Sequence, residues 1–417
     1  MDCEKTMNDI LLNIVKNGGK QAWIGNRPVF EMDIIELITS TNFRVSPRFH
    51  QQYDVVWFFE HLLSDLHPLS WKIALDECIR LIGEAGKIVI RCRENQYFTI
   101  PLLKQFLGRK FDTEVSIASE HPYKDRGFWI IVFDIQRKNL EKYKSELWTF
   151  AILTNGKKDS IVEQYLYSIR KHDTEKKHEI IVCGSNNHNF KKYNVCFVEE
   201  EFRDDQLAEI SKKKNIIADM AQNDNICIVH DRYILDDNFF NGFQQYGYDF
   251  SFLTIKQYFE NRSEYPSYSA LPNRLLWQNP IKVDNYDFLY ENTFLNGGLL
   301  IFKTHILKEI PFNNTLHWNQ QEDVEIANTY MNHGIVPRIN FFSSATTVGV
   351  GQDKISTFQQ ESIPQNIFYN PWGIDYSLQN LKKQIPEKFE AKLRKKIRAF
   401  VYFLYRILKK LAKKILK

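Results

Sequence analysis

The first third of the chain alternates short apolar runs with amphipathic ones. "YDVVWFF" (53–59) is continuous enough for a strand buried on both faces, and "WKIALDECIRLIGEAG" (71–86) is apolar at helical spacing until Gly83 and Gly86 end it. "KIVIRC" (87–92) reads as the next strand, "PLLKQFLG" as a short helix, and "TEVSIAS" with "GFWIIVFDI" as a closing hairpin. The pattern then restarts. "LWTFAILTNG" (147–156), "HEIIVCGSN" (178–186) and "NICIVHDRYIL" (225–235) are strands that run into polar residues, separated by the helical patterns "SIVEQYLYSIRK" and "LAEISKKKNIIADMAQ". Such alternation predicts α/β sheets, and the second block predicts a parallel, doubly wound one with ligands at the carboxyl ends of its strands. Between 256 and 293 the pattern lapses into a stretch rich in Tyr, Asn, Pro and Phe, which predicts an irregular functional loop or lid. Three regions result: a smaller Rossmann-like α/β domain over 1–145, a larger one over 146–375, and a linker with a terminal helix over 376–417.

That last helix changes the charge picture. "AKLRKKIRAFVYFLYRILKKLAKKILK" (391–417) places apolar residues at 393, 397, 400, 404, 407, 411 and 415, one helical face, with Lys and Arg on the other. The segment carries eleven basic residues and no acid, so subtracting its +11 from the net +4 leaves −7 for residues 1–390. A nucleic-acid enzyme would spread basic charge over its body, so no nucleic-acid partner is expected. A basic amphipathic helix is suited to lying on an anionic membrane surface. The six cysteines are scattered without a CxxC pair, no run approaches the roughly 18 apolar residues of a spanning helix, and the N-terminus lacks the pattern of a secretory signal. A reduced, cytoplasmic, membrane-peripheral protein is expected.

The residues that follow the strands are the first candidates for chemistry: Thr154, Asn155 and Gly156, then Gly184 and Ser185, then His230, Asp231 and Arg232. Farther on, "FLNGGLLIFK" (294–303) reads as a turn and a strand, with Gly297 and Gly298 bare where backbone approaches a ligand, or simply turning. "LHWNQQEDVEIANTY" (316–330) opens a helix with Glu322, Asp323 and Glu325, acids that complement the positive end of its dipole. The dipole does not explain the preceding Trp318. Neighbours in a helix do not share a face, so only one of Glu322 and Asp323 is expected to enter a site. Asp236 and Asp237 are expected to cap the following helix, "NFFNGF".

In order, the N-terminal strand–turn–helix, the "EIIV" strand, the "KKN" helix, the strand ending in "HDR", "NGG" and the "ED" helix resemble the GT-A fold of nucleotide-sugar glycosyltransferases, especially family 2-like bacterial enzymes. The resemblance covers roughly half of the chain. It implies a nucleotide-sugar donor, most often a UDP-sugar, bordered by Thr154, Asn155, Gly156, Gly184 and Ser185. Asn215 is also a donor candidate, unless it is a helix-surface residue. It further implies a divalent cation, Mn²⁺ or Mg²⁺, on Asp231 with His230 as second ligand, and Arg232 on the phosphates. "HDR" departs from the family's Asp-x-Asp, and the family's second-strand Asp is replaced by "VCGSN". On the acceptor side the resemblance implies Asp323 as general base, flanked by Glu322, with Trp318 as a platform for a sugar ring and Asn296, Gly297 and Gly298 beside it. The implied activity is transfer to a glycan or lipid-linked acceptor in surface polysaccharide synthesis, such as lipopolysaccharide or capsule, with inversion, at the cytoplasmic membrane face.

Residues 53–135 resemble the second half of a class I methyltransferase, where "EHLL" precedes a helix, a Gly turn and "KIVI". Neither "NGGK" (17–20) nor "IGNRP" (24–28) shows the glycine spacing of a cofactor turn after a strand, so a degenerate domain is expected. An S-adenosylmethionine-dependent methyltransferase and a non-catalytic, membrane-tethered scaffold are the rival readings.

Overall fold

The computed structural model describes residues 3–37, 44–66, 70–123, 126–203, 208–271, 280–283, 292–318 and 320–351. The chain divides into compact units Met1–Ser362 and Ile363–Lys417. The basic tail lies outside the described residues. No described helix is long and apolar enough to cross a membrane.

The fold is α/β, built on two large sheets. The first comprises β1 (Gln21–Ile24), β2 (Asp33–Ile35), β3 (Tyr53–Phe58), β4 (Ile82–Cys92), β5 (Thr113–Tyr123) and β6 (Phe128–Arg137), in the order β2-β1-β3-β4-β6-β5. Four strands are parallel, and β6 runs antiparallel between β4 and β5. Helix α1 (Cys3–Asn17) lays Met7 and Ile14 on a core of Trp23, Val55, Trp57, Val89 and Val132. Helices α2 (Ser70–Leu81) and α3 (Ile100–Gly108) complete this part.

Two local expectations change here. Helix α2 stops at Leu81, and "IGEAG" already belongs to β4. A side chain at Gly86 would overlap the Asp54 carbonyl, so this glycine admits the neighbouring strand and does not end a helix. The second change concerns "IGNRP", which does follow a strand, and Gly25 there has φ 139°. The turn leads straight to β2 with no helix between them. Glu60 fills it, accepting bonds from the Asn26 and Arg27 N–H groups at 2.8 Å each and from the Trp23 indole at 3.1 Å.

The second sheet begins with β7 (Trp148–Leu153), α4 (Asp159–Arg170), β8 (Glu179–Cys183), β9 (Cys196–Phe197), α5 (Ile210–Met220) and β10 (Asn225–His230). It continues through β11 (Tyr233–Leu235), α6 (Phe239–Tyr246), β12 (Phe252–Phe259) and β13 (Glu264–Tyr265). After a small sheet of β14 (Tyr268–Ala270), β15 (Ile281–Lys282) and β16 (Thr293–Leu295) come β17 (Leu299–Lys303), α7 (Thr304–Glu309), α8 (Glu322–Asn332) and β18 (Arg338–Thr347).

The order β9-β8-β7-β10 is parallel as expected, but β17 runs antiparallel to β10, so the sheet is mixed. The physical reason is the "NGG" turn. It delivers β17 beside His230, the last residue of β10, and the strand can only run back from there. The stretch expected to be irregular instead supplies the end of β12 and short strands β13 to β15, although 272–279 and 284–291 lie outside the described residues. Asp236 and Asp237 do not cap α6. Asp236 accepts the hydroxyls of Ser344 at 2.5 Å and Thr346 at 2.7 Å and so anchors β18, while Asp237 pairs with Lys171 at the surface.

Between the two sheets lies a buried ionic cluster. Glu77 meets Arg338 at 2.9 Å, Arg80 at 3.0 Å and Arg44 at 3.5 Å, and Asp249 meets Arg137 at 2.9 Å. Burial alone would push the Glu77 carboxyl up, but Arg80, Arg44 and Arg338 together hold it down to about 2.

Candidate active site

At the carboxyl ends of β7 and β10 the backbone opens into a cleft of about 250 Å³, bordered by Thr154, Asn155, Lys213, His230, Asp231 and Trp318. A larger open cleft of about 800 Å³ lies on the first sheet, but its acids are committed: Asp54 accepts the Lys20 N–H at 2.8 Å and Asp134 pairs with Lys87. The strand-end residues singled out by the sequence line the smaller cleft.

Strand ends aim these groups. Asp231 is held at the end of β10 by its N–H on the Leu153 carbonyl at 3.0 Å. Its carboxylate accepts the Thr154 hydroxyl at 2.9 Å and lies 3.5 Å from the Lys158 ammonium. The Thr154 hydroxyl in turn accepts the Gly156 N–H at 3.1 Å. Gly184 has φ 99°, and a side chain there would overlap the Thr154 carbonyl, so glycine is required where β8 meets β7. Ser185 follows it, half-buried, outside the cleft lining. Asn215 is not brought to the cleft. Its amide binds the Phe312 carbonyl at 2.8 Å and the Phe312 N–H at 2.9 Å, a clamp across α5.

The "NGG" turn is the hinge of the site. The His230 N–H donates to the Gly298 carbonyl at 2.9 Å. The Asn296 side-chain oxygen accepts the Gly298 N–H at 3.1 Å and Arg232 at 3.4 Å, and Arg232 also reaches the Tyr265 hydroxyl at 3.3 Å. A Cβ on Gly298 would come 2.9 Å from the Tyr233 hydroxyl and overlap Arg232. On the turn's far side the Gly297 N–H donates to Asp323 at 2.9 Å. The Gly297 carbonyl accepts Lys214 at 3.1 Å, and Lys214 also binds Glu322 at 3.1 Å.

Glu322 and Asp323 both approach Gly297, Glu322 from the buried side beside Lys214 and Asp323 through the Gly297 N–H. They open α8, and a glycine is small enough to be approached from two sides: a Cβ on it would lie 2.9 Å from Glu322 Oε1 and 3.0 Å from Asp323 Cβ. Glu322 is buried with Lys214, whereas Asp323 keeps partial access to solvent. Burial first, and the Glu322 charge second, raise the Asp323 carboxyl to about 6, against the opposing pull of Lys214 and two backbone N–H groups. Trp318 stands 66% exposed over the cleft, an uncommon position for a large apolar ring.

Among the described residues no group of three or more His, Cys, Asp or Glu side chains is placed to hold a metal. The donor set still fits a cation shared with a ligand. Asp231 offers hard oxygen, and the buried His230 Nε2 has no hydrogen-bond partner among the described residues. Burial, then Lys214 and Arg232, hold the imidazole well below its ordinary pKa and keep it neutral. Lys158 and Lys213, which the sequence reading passed over, add positive charge to the cleft. Their only signal was "KK" before a helix and "KKK" within one.

Fold and site together define an α/β protein with an anion-suited cleft bordered by one carboxylate and joined through a glycine turn to a second. No family model and no curated protein matches the chain. Among solved structures it is similar to S. aureus TarS 1–349, at 15% identity and TM-score 0.33 over 48% of this chain and 60% of that one. It is similar to GalNAc-T7 with UDP, GalNAc and Mn²⁺, at 14% identity and TM-score 0.38 over 55% and 47%. It is also similar to the mannosyltransferase PcManGT from Pyrobaculum calidifontis in complex with GDP-Man and Mn²⁺, at 13% identity and TM-score 0.35 over 62% and 81%. The chain covers less than two thirds of the first two of these structures. Likeness at this level does not decide an activity, which has to come from the site.

Proposed function

We propose that the chain is a GT-A-type, family 2-like glycosyltransferase that moves a sugar from a nucleotide-sugar to an acceptor hydroxyl. One observation carries this reading: the "NGG" turn binds the Asp231 strand end on one side and Asp323 on the other, so a donor-side and an acceptor-side carboxylate belong to one rigid network. The donor, a UDP-sugar in the first instance, lies over Thr154, Asn155 and Gly156 with its diphosphate toward Asp231, Lys158, Lys213 and Arg232. Asp231 and His230 would hold Mn²⁺ or Mg²⁺, which when bound neutralises charge on the leaving diphosphate. Asp323 takes the acceptor hydroxyl proton as that oxygen bonds the anomeric carbon and the bond to the diphosphate breaks. Attack opposite the leaving group gives inversion. Trp318 stacks on the acceptor ring.

The first test is calorimetric titration of the full chain with UDP, UDP-sugars and S-adenosylmethionine. Binding of UDP or a UDP-sugar but not of S-adenosylmethionine is expected, because Glu60 fills the turn after β1. The reverse pattern would favour a methyltransferase, and no binding a scaffold. Asp231→Ala is expected to weaken UDP-sugar binding in Mn²⁺ far more than in chelator. Equal loss in both would remove the metal role from His230 and Asp231.

The acceptor we propose is lipid-linked, as in lipopolysaccharide or capsule assembly at the cytoplasmic membrane face, because the basic amphipathic segment 391–417 supports peripheral attachment. Deleting 391–417 is expected to abolish co-sedimentation with anionic vesicles while leaving UDP-sugar binding intact. Each basic residue near such a surface contributes about 1 kcal/mol, so part of the binding should be lost in high salt. Undiminished co-sedimentation of the truncated chain would place the membrane contact elsewhere.

A further inference from the structure

Lys214 lies outside the cleft lining, yet it touches Glu322 and the Gly297 turn whose N–H holds Asp323. Its side chain is fully buried, which is costly for a charge unless it is paired and hydrogen-bonded. Its ammonium is 3.1 Å from the Gly297 carbonyl, 3.1 Å from Glu322 Oε1 and 4.8 Å from the centre of the Phe312 ring.

We propose that Lys214 is a positioning residue for the proton-accepting carboxylate: it pins Gly297 and Glu322 together, so that the Gly297 N–H stays on Asp323 and Glu322 keeps the lysine as its partner. The role assigned to Asp323 rests on the sugar-transfer reading; the electrostatic arrangement does not. Gly297 has no side chain to hold the two acids apart, and two adjacent carboxylates oppose each other's ionisation. Lys214 is the counter-charge in that cluster. The charged groups that face Asp323 are Glu322, beside it on α8, and Lys214, from α5. The N–H groups of Gly297 and Val324, each at 2.9 Å, occupy one lone pair on each Asp323 oxygen. The remaining lone pairs are left for a proton from the acceptor.

The test follows the Asp323 carboxyl directly. Full-length protein labelled with ¹³Cγ-aspartate is titrated by NMR, with the Asp323 signal assigned by its loss in Asp323→Asn. Glu322→Gln removes the like charge and leaves the ammonium, so Asp323 is expected to titrate about one pH unit lower. In the double variant Lys214→Met/Glu322→Gln the ammonium is gone as well, and the titration is expected to return upward by a similar amount. Lys214→Met alone leaves two unscreened acids, which titrate as a pair above the parent value. The acid limb of kcat/KM should follow the same order, with Lys214→Met lowering kcat more than it changes KM. A purely structural lysine would not raise the Asp323 titration on removal both with and without the Glu322 charge.

Identical Asp323 titrations in Glu322→Gln and the double variant would overturn the proposal, even if Lys214→Met alone does not fold. Failure of the sugar-transfer reading would look different. The carboxyl shifts would occur as stated, with no transfer by any variant or by the parent.

Discussion

Asp323→Asn is expected to lower sugar transfer by roughly 10²–10⁴-fold while leaving nucleotide-sugar binding nearly unchanged, the signature of a lost general base. The amide keeps the shape, and its one oxygen can still accept the Gly297 N–H at the expense of the bond from the Val324 N–H, so the greater part of the loss belongs to proton transfer. Because burial and Glu322 raise the carboxyl to about 6, transfer by the parent should fall through one protonation as pH drops below that value. Stability should move the other way. A carboxyl raised above its unfolded value favours the folded state when protonated, and that contribution is lost as pH rises through about 6. At pH 7 Asp323→Asn should therefore be more stable than the parent, by roughly 1–2 kcal/mol once the lost Val324 N–H bond is set against the relieved carboxylate. Transfer assays and thermal melts of one preparation check both expectations. Near-normal transfer would remove Asp323 as the base, and lost stability would mark a folding defect.

Glu77→Gln should unfold the chain far more readily, by roughly 3–5 kcal/mol, because it strands Arg44, Arg80 and Arg338 in a buried space with one counter-charge fewer. Glu77 is held down to about 2, so its contribution is fully present above the unfolded carboxylate range near 4.5 and disappears as pH falls toward 2. The parent should therefore lose stability over that acid window, and Glu77→Gln should lose less of what remains. Denaturant titrations at pH 7 and pH 3 measure the difference. A cost at pH 7 within about 0.5 kcal/mol, the range of a surface substitution, would show that the cluster does not bind the sheets together.

Much of the framework was readable from periodicity. The apolar stretch in "YDVVWFF" became the buried part of β3, whereas "NICIVHDRYIL", expected as one strand, divides at Asp231 and Arg232 into β10 and β11, which are not neighbours in the sheet. The polar residues that end β7 and β10 did meet in one cleft, since parallel strands present their carboxyl ends on the same side. Helix α1 was passed over, although Met7, Ile10, Leu11 and Ile14 stand at helical spacing.

What periodicity cannot carry is which polar residues are inside. Asp76, Glu77 and Arg80 look like the solvated face of an ordinary amphipathic helix, yet all three are buried, because a second sheet covers the face that local pattern assigns to water. Lys214 and Asn215 are neighbours in "KKKN". Only the packing of α5 decided that the lysine meets Glu322 while the asparagine clamps Phe312. The approach of both Glu322 and Asp323 to Gly297 was hidden for the same reason, since it depends on a turn at 296–298 being brought against the first turn of α8. The sequence by itself determined the α/β class, the strands that frame the cleft and the acids available for chemistry. Tertiary structure alone decided which of those charges are buried, paired or shifted, because burial and pairing come from residues far apart in the chain.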